Sequence, residues 1–321
     1  MYGKTIKTGS YVSRTYRIVE KLGSGGSGAV YLAWHTRLRK HVVIKLVKNN
    51  SASTVETRRN EVEALKKIRN LYVPQVLDFL AENDHSFTVM EYIEGESFDK
   101  LLRQKKQFDE EQVIQWYRQL SSALCEIHRY DVCHRDIKPA NILLTTNGDV
   151  CLIDFNFALV SGNNTGVISR SMGYASPEQY EYFKLCRSTF TNTPKSNNKQ
   201  IAASMSESEC LTELITGISS SGGLTAGESD NNGASMLSDC PENAIDWKLS
   251  DIYSLGATIY HLLTGNRPPV TPEEIAKIPS LMGYSNSILK IIENSMKTNP
   301  TQRYKSAAEL NTVLNRAYLY V

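Results

Sequence analysis

Hydrophobic and polar positions divide the chain into two patterned parts and one unpatterned part. Alternating positions typical of β-strands cover 16–21, 30–34, 41–47, 76–80 and 87–92. A helical period interrupts them at 54–69, where Val62, Leu65 and Ile68 fall on one side. From about residue 97 the pattern is mainly helical, with predicted helices at 98–104, 109–130, 250–263, 288–296 and 307–318. A small β-rich unit is therefore predicted to precede a larger α-rich unit.

The unpatterned part, residues 188–239, is dominated by small polar residues: 27 of its 52 residues are Ser, Thr, Asn or Gly. Such a segment has too little apolar surface to offset the entropy lost on ordering, which predicts a loop with at most a short helix at 210–218. Two interpretations stay open. The hydroxyl groups suit a phosphorylatable arm, but loop-closure cost grows slowly with length, so an inert insertion is equally compatible.

Composition excludes several classes of protein. The 321 residues carry 36 Lys and Arg against 34 Asp and Glu, a net charge of +2, which does not favour nucleic acid as a partner. The 6 cysteines contain no C-x-x-C pair, which indicates reduced thiols in a cytoplasmic protein rather than disulfides or a zinc site. No segment approaches the roughly 18 apolar residues of a membrane-spanning helix, and the polar N-terminus shows no secretory signal.

A glycine-rich loop is the first candidate for chemistry. Residues 23–30 read Gly-Ser-Gly-Gly-Ser-Gly-Ala-Val, which fits G-x-G-x-x-G-x-V. In a dinucleotide-binding fold the last glycine opens a helix, whereas here the pattern at 30–34 predicts a strand. A glycine loop between two strands can close over phosphates with its backbone N–H groups. On this pattern alone, phosphate binding and an ordinary flexible loop remain equally open.

A lysine within an apolar strand is the second candidate. Lys45 ends the run Val-Val-Ile-Lys and either faces solvent at a sheet edge or points into a cleft, where it needs a carboxylate partner. Glu61 in the following helix can supply that carboxylate. Glu63 is a rival on a different face of the helix, so pairing alone does not decide.

Two motifs decide the interpretation: residues 134–141 read His-Arg-Asp-Ile-Lys-Pro-Ala-Asn, and residues 154–156 read Asp-Phe-Asn. With these motifs the sequence resembles the eukaryotic-type (Hanks-type) serine/threonine protein kinases. Its residues at 173–180 are most similar to those of bacterial members. The resemblance implies an α+β bilobal protein-kinase fold, with a small five-stranded antiparallel β lobe, a larger α-helical lobe and ATP between them. It divides the chain into an N-terminal extension (1–15) and a kinase domain (16–321), with a small lobe at 16–93, a large lobe at 94–321 and an insertion at 188–239.

The resemblance also implies roles for individual residues. Asp136 would accept or orient the proton of the substrate hydroxyl. Lys138 would lie near the transferred phosphate, while Lys45 would bind the α- and β-phosphates of ATP and Glu61 would hold Lys45 in place.

The implied cofactors are ATP and Mg²⁺. Asn141 and Asp154 would supply the hard oxygen ligands that Mg²⁺ prefers. The residues implied to bind nucleotide are Leu22, Gly23, Ser24, Gly25, Gly26, Ser27, Gly28, Val30, Val43, Lys45, Met90, Glu91 and Ile93.

Further matches concern protein substrates. By resemblance, Glu178 should pair with Arg303, Asp251 should brace the loop at 134–136, and Ser171 stands where the family often has threonine. These elements imply Ser/Thr-containing protein substrates and are compatible with self-association for trans-autophosphorylation. The charge balance predicts no nucleic-acid partner, and the hydrophobic pattern predicts no membrane segment.

Departures from the family pattern keep two other classes of function open. Asn156 replaces the usual glycine of D-F-G, and Val43 replaces the usual alanine above the adenine ring. These changes and the insertion are compatible with a pseudokinase that acts as a binding scaffold. A phosphotransferase for small molecules is the third alternative, and the substrate-docking elements count against it.

Overall fold

The small lobe is built on an antiparallel sheet, in a computed structural model that describes residues 6–25, 28–48, 52–82, 85–104, 108–155, 159–160, 171–191 and 245–317. Within these residues the sheet has six strands in the order β1-β2-β3-β4-β6-β5. They are β1 (Tyr11–Val12), β2 (Tyr16–Gly25), β3 (Gly28–His35), β4 (Lys40–Lys48), β5 (Val76–Glu82) and β6 (His85–Glu91). The five predicted strands are present, and β1 adds a sixth that is too short to show an alternation in sequence.

Period-2 alternation in β4 separates the small-lobe core from the cleft. Val42, Ile44 and Leu46 are buried in the core on one face of the sheet. Lys45 therefore points to the opposite face, toward the large lobe. The single helix of this lobe, α1 (Ala52–Leu65), ends four residues before the predicted boundary, and the chain then leaves through a turn that buries Ile68 in the large-lobe core.

The large lobe is mainly helical. Its described helices are α2 (Phe98–Gln104), α3 (Glu110–Arg129), α4 (Pro177–Thr191), α5 (Trp247–Thr264), α6 (Pro272–Ile275), α7 (Asn286–Ser295) and α8 (Ala307–Ala317). The predicted helices at 98–104, 109–130, 250–263, 288–296 and 307–318 correspond to α2, α3, α5, α7 and α8, while α4 and α6 were not predicted. Residues 192–239, including the predicted helix at 210–218, lie outside the described residues.

Helix α5 is the centre of the large-lobe core, since every residue from Ser250 to Ile259 is buried. Asp246 caps its N-terminus by accepting hydrogen bonds from the backbone N–H groups of residues 248 and 249. Gly265 ends it in the left-handed conformation, φ 70°, that favours glycine. Gly256 allows close packing on α7, because a Cβ there would lie 2.7 Å from that of Ser295.

Short strands position the loops that carry the candidate chemistry. They are β7 (Gly95–Ser97), β8 (Val132–Cys133), β9 (Ile142–Thr145), β10 (Val150–Leu152) and β11 (Leu159–Val160). The antiparallel pair β8·β11 brings residues 132–133 next to residues 159–160, and the pair β9·β10 lies between them in the chain. In the described part of the chain, no helix has both the length and the apolar character needed to cross a membrane.

Candidate active site

A buried carboxylate on α5 anchors the loop at residues 134–141, which carries the His-Arg-Asp motif and is called the catalytic loop below. Asp251 accepts hydrogen bonds from the backbone N–H of His134 at 2.7 Å and of Arg135 at 2.8 Å. His128 Nε2 lies 3.0 Å from the same carboxylate. The backbone of Arg135 is left-handed, with φ 62°, a conformation that persists only where the surroundings hold it. The predicted bracing role of Asp251 thus corresponds to direct contacts with this loop.

The carboxylate of Asp136 lies at the centre of a hydrogen-bond cluster. Lys138 Nζ is 2.9 Å from Oδ2, and the Ser171 hydroxyl donates to Oδ1 at 2.6 Å. Asn141 donates through Nδ2 to Oδ2 at 2.9 Å and to the Asp136 carbonyl at 2.8 Å. Lys138 Nζ also donates to Ser171 Oγ at 2.9 Å. Asp136 is only 4% exposed, so its position is fixed from several sides.

The oxygen ligands expected for a metal lie beside this cluster. Because Asn141 uses its NH₂ group on Asp136, its carbonyl oxygen is the end left to bind a cation. Asp154 has a left-handed backbone, φ 69°, which is typical of strained residues at functional sites. Both residues line one cavity between the lobes. An amide and a carboxylate oxygen fit the preference of Mg²⁺.

That cavity has a volume of about 480 Å³, which suits a nucleotide-sized ligand. From the small lobe, its walls include Leu22, Gly23, Val30, Val43 and Lys45. The segment between the lobes contributes Met90, Glu91, Tyr92 and Ile93, and the large lobe contributes Ala140, Leu143, Ile153 and Phe155. The sequence did not single out Leu143, although its position two residues after Asn141 in a strand could have pointed to it.

The glycine loop is only partly placed. Gly26 and Ser27 lie outside the described residues, and Ser24 and Gly28 are not among the described residues that line the cavity. Gly28 has φ 133°, and a Cβ there would lie 2.0 Å from the Leu46 carbonyl oxygen. Glycine is therefore required at residue 28 for the close approach of β3 to β4, in addition to any role at phosphate.

Lys45 and Glu61 line the same cavity without pairing. Lys45 Nζ forms an ion pair with Asp154 at 3.6 Å. Glu61 is also a described residue, but its carboxylate does not lie within 4.0 Å of Lys45 Nζ. Burial lowers the pKa of Lys45, and the charge of Asp154 opposes that shift. Burial raises the pKa of Glu61, and the charge of Arg58 opposes it most. The contact predicted between Lys45 and Glu61 is not formed in this structure, and their roles remain a prediction.

Arg58 is a cavity residue that the sequence reasoning missed. It lines the cavity one helical turn before Glu61, and its Nε is buried without a hydrogen-bond partner in the described part of the chain. The spacing i, i+3 from Glu61 is the signal that could have found it.

The N-terminus of α4 is fastened to the rest of the large lobe by an ion pair between the buried Arg303 and the half-buried Glu178. Arg303 Nη1 and Nη2 lie 2.6 Å and 2.9 Å from the two oxygens of Glu178. The guanidinium also lies 5.0 Å from the centre of the Tyr253 ring. The predicted contact between Glu178 and Arg303 is confirmed, with the bidentate geometry that makes such pairs strong.

Known proteins with similar sequences are protein kinases. Residues 16–188 match the family model described as the protein kinase domain. PknL of Mycobacterium tuberculosis is 35% identical over 51% of this chain and 43% of its own length. PrkC of Bacillus subtilis is 24% identical over 97% of this chain and 41% of its own length. A probable serine/threonine-protein kinase of Clostridium acetobutylicum is 32% identical over 53% of this chain and 27% of its own length.

These relatives confirm the predicted resemblance and the bilobal fold. The chain spans less than half the length of each of the three relatives. The family match covers just over half of the chain, including the glycine loop and the catalytic loop. The chain therefore belongs to the protein kinase family and carries a domain of the bacterial serine/threonine-kinase type.

Proposed function

We propose that this chain is an ATP-dependent serine/threonine protein kinase that transfers the γ-phosphoryl group of ATP to Ser or Thr hydroxyls of proteins, including its own. One observation carries the proposal. The Asp136 carboxylate is held by Lys138, Ser171 and Asn141 beside a cavity large enough for a nucleotide. A carboxylate that is fixed next to a cation suits proton acceptance at the point where a phosphoryl group is transferred.

The proposed reaction is an in-line displacement. The hydroxyl oxygen of the substrate forms a bond to the γ-phosphorus, the bond from that phosphorus to the bridging oxygen of ADP breaks, and the hydroxyl proton passes to Asp136. The transition state is loose and anionic, so positioning and charge neutralisation supply most of the rate. Lys138 is the cation placed to neutralise the transferred group. Ser171 positions the Asp136 carboxylate through its hydrogen bond to Oδ1.

The nucleotide would occupy the cavity between the lobes. Lys45 would exchange its contact with Asp154 for the α- and β-phosphates, with Glu61 as its supporting carboxylate. Asn141 and Asp154 would hold Mg²⁺, which neutralises phosphate charge when bound. Leu22, Val30, Val43, Met90 and Ile93 supply apolar or backbone contacts for the base and sugar.

The remaining proposals concern partners and location. The segment fastened by Glu178 and Arg303 favours Ser/Thr-containing protein substrates over small molecules, and transfer to itself implies transient self-association. The net charge of +2 gives no support for a nucleic-acid partner. The cytoplasm is proposed because the described cysteines are free thiols, and burial raises the pKa of Cys151 to about 12, which keeps that thiol inert.

The test is phosphoryl transfer from [γ-³²P]ATP with Mg²⁺ to a generic protein substrate, with Asp136→Asn as control. We expect label on Ser and Thr in the wild type, and a rate lower by about 10²–10⁴-fold in the variant. Thermal shifts by ATP and Mg²⁺ should be retained in both proteins. Equal incorporation would contradict the proposed catalysis, and nucleotide binding without transfer in the wild type would identify a pseudokinase.

A further inference from the structure

A second cavity, separate from the nucleotide cavity, lies where α3, α8 and the connection from α1 to β5 meet. Its volume is about 320 Å³, within reach of a small ligand. The connection contributes Tyr72, α3 contributes Gln115, Arg118, Gln119 and Ser122, and α8 contributes Asn311 and Asn315. No residue of this set lines the nucleotide cavity. Every side chain in it carries a polar group.

Arg118 is the charged residue of this lining, and it has no carboxylate neighbour among the described residues within 4.0 Å. Its Nε donates to Asn315 Oδ1 at 2.9 Å. Within the described ranges neither of its Nη groups donates to a protein acceptor. A half-buried guanidinium with two unused NH₂ groups is a site of positive potential that favours an anionic partner.

The guanidinium is held in place by a chain of hydrogen bonds between α3 and α8. Asn315 Nδ2 donates to Asn311 Oδ1 at 2.7 Å, and Asn311 Nδ2 donates to Ser121 Oγ at 2.7 Å. Asn311 also donates to the Arg118 carbonyl at 3.3 Å. The bond from Nε to Asn315, which these contacts hold in place, restrains the guanidinium, so binding would cost less side-chain entropy than at a freely moving arginine.

We propose that this cavity binds the phosphate or carboxylate group of a small polar molecule, with Arg118 as its bidentate anchor. A planar guanidinium with two parallel N–H donors matches both oxyanions. Gln115 and Ser122 supply neutral polar groups beside it, which suit the hydroxyl or amide groups of such a molecule. Among the described residues that line the cavity, none is acidic, so none would repel an anion.

The walls of this cavity also hold the strand that leads to the metal-binding aspartate. The Tyr72 carbonyl accepts the backbone N–H of Leu152 at 2.8 Å. Gln119 accepts the backbone N–H of Val150 at 3.0 Å. These two bonds fix both ends of β10, which stops two residues before Asp154. As the second part of the proposal, we expect an oxyanion at Arg118 to affect Asp154 through Tyr72, Gln119 and β10.

The experiment is an amide ¹H–¹⁵N TROSY titration of the whole chain with inorganic phosphate and, separately, with succinate. Sodium chloride at equal ionic strength is the control. We expect saturable shifts at the amides of Tyr72, Gln119, Ser122 and Leu152, with a Kd on the order of 1 mM. The two ligands distinguish a phosphate site from a carboxylate site. Sodium chloride should leave these amides unshifted.

Two arginine variants provide the comparison. Arg118→Gln keeps a donor for Asn315 but removes the charge, and should weaken binding about tenfold or more. Arg103→Gln removes an exposed arginine of α2 that pairs with Asp99, and should bind as the wild type does. Arg118→Lys keeps the charge without the two parallel donors and should be intermediate.

The outcomes are decisive for both parts of the proposal. Absence of saturable shifts with both ligands, or equal binding by Arg118→Gln, would overturn the site. Shifts at Tyr72 and Ser122 without any at Leu152 would overturn the coupling to Asp154. Because the readout is binding at named amides, these results do not depend on whether the chain transfers phosphate.

Discussion

The two halves of the candidate active site differ in how many hydrogen bonds and ion pairs hold their side chains in place. In the large lobe, the Asp136 carboxylate has three side-chain donors, and Asp251 fixes the backbone on either side of residue 134. In the small lobe, Lys45 has one ion pair, at 3.6 Å and to a residue of the other lobe. Among the described residues, Glu61 forms no ion pair within 4.0 Å, and the charges of Arg58, Arg135 and Lys45 act on it without direct contact.

Under the proposed function, the large-lobe half is preformed and the small-lobe half would be completed by the bound nucleotide. Polar groups that are buried and fully bonded contribute to stability, so they are rigid before any ligand binds. Lys45 and Glu61 form fewer such bonds. The phosphates of a nucleotide would supply negative charge that pairs with Lys45. Substitutions in the large-lobe half should therefore lower both stability and activity, whereas those in the small-lobe half should affect stability little.

The largest effect is expected from removal of the buried anchor, Asp251→Ala. The change leaves the backbone N–H groups of His134 and Arg135 buried without an acceptor, at a cost of about 3–5 kcal/mol in the free energy of unfolding. Phosphoryl transfer should be lost with the loop geometry. Urea unfolding followed by circular dichroism measures the first effect, and ³²P incorporation measures the second.

Thr258→Val is the matched control for this change. Thr258 is also buried on α5, but its hydroxyl bonds chiefly to the carbonyl one turn earlier, at 2.8 Å. We expect it to cost about 1 kcal/mol and to retain activity. If Asp251→Ala costs no more than this control, the large-lobe half is not held by Asp251.

A smaller effect is expected at the hydroxyl that positions Asp136. Ser171→Ala removes the donor to Oδ1 and an acceptor for Lys138, and hydrogen bonds to charged groups contribute about 1.5–3 kcal/mol. We expect kcat to fall about ten- to hundredfold, with little change in the KM for ATP, since Ser171 does not line the nucleotide cavity. Ser171→Thr keeps the hydroxyl and should restore most of kcat. Equal kcat in the alanine and threonine variants would assign Ser171 no positioning role.

The same division describes what the sequence could predict. The catalytic loop and the pair Glu178–Arg303 follow from motifs whose partners are fixed within one lobe, so their contacts agree with the sequence. Lys45 and Glu61 both belong to the small lobe, and whether they meet depends on how α1 packs against the sheet. The contact of Lys45 with Asp154 depends on how the lobes lie against each other, and no local pattern encodes either arrangement. Arg58 lies one helical turn before Glu61, so the sequence held a signal for its place beside Glu61, although packing decides that both residues line the cavity.

Local elements were missed where the sequence signal was short or mixed. Strand β1 has two residues, too few for an alternation, and it exists because it pairs with β2. Helix α4 begins at Pro177 with Glu178 in its first turn, a normal start signal, but its later residues merge into the polar composition that predicts a loop.

The smallest expected effect concerns Glu61 and the pH dependence of stability. Burial raises the pKa of Glu61 above 4.5, so between that pH and the raised pKa the folded protein keeps a proton that the unfolded chain has released. The free energy of unfolding should therefore fall as pH rises through this window. Glu61→Gln cannot ionise, so its stability should decline less with pH and exceed that of the wild type at neutral pH. Urea unfolding at a series of pH values measures both slopes.

Glu63→Gln is the matched control, because it removes an exposed carboxylate two residues away that pairs with Lys66 at 3.0 Å. It should keep the slope of the wild type. If Glu61→Gln also keeps that slope, Glu61 is ionised in the folded protein and is held by nearby cations before nucleotide binds. The small-lobe half would then be preformed like the large-lobe half, and the distinction between them would rest on the separation of Lys45 from Glu61 alone.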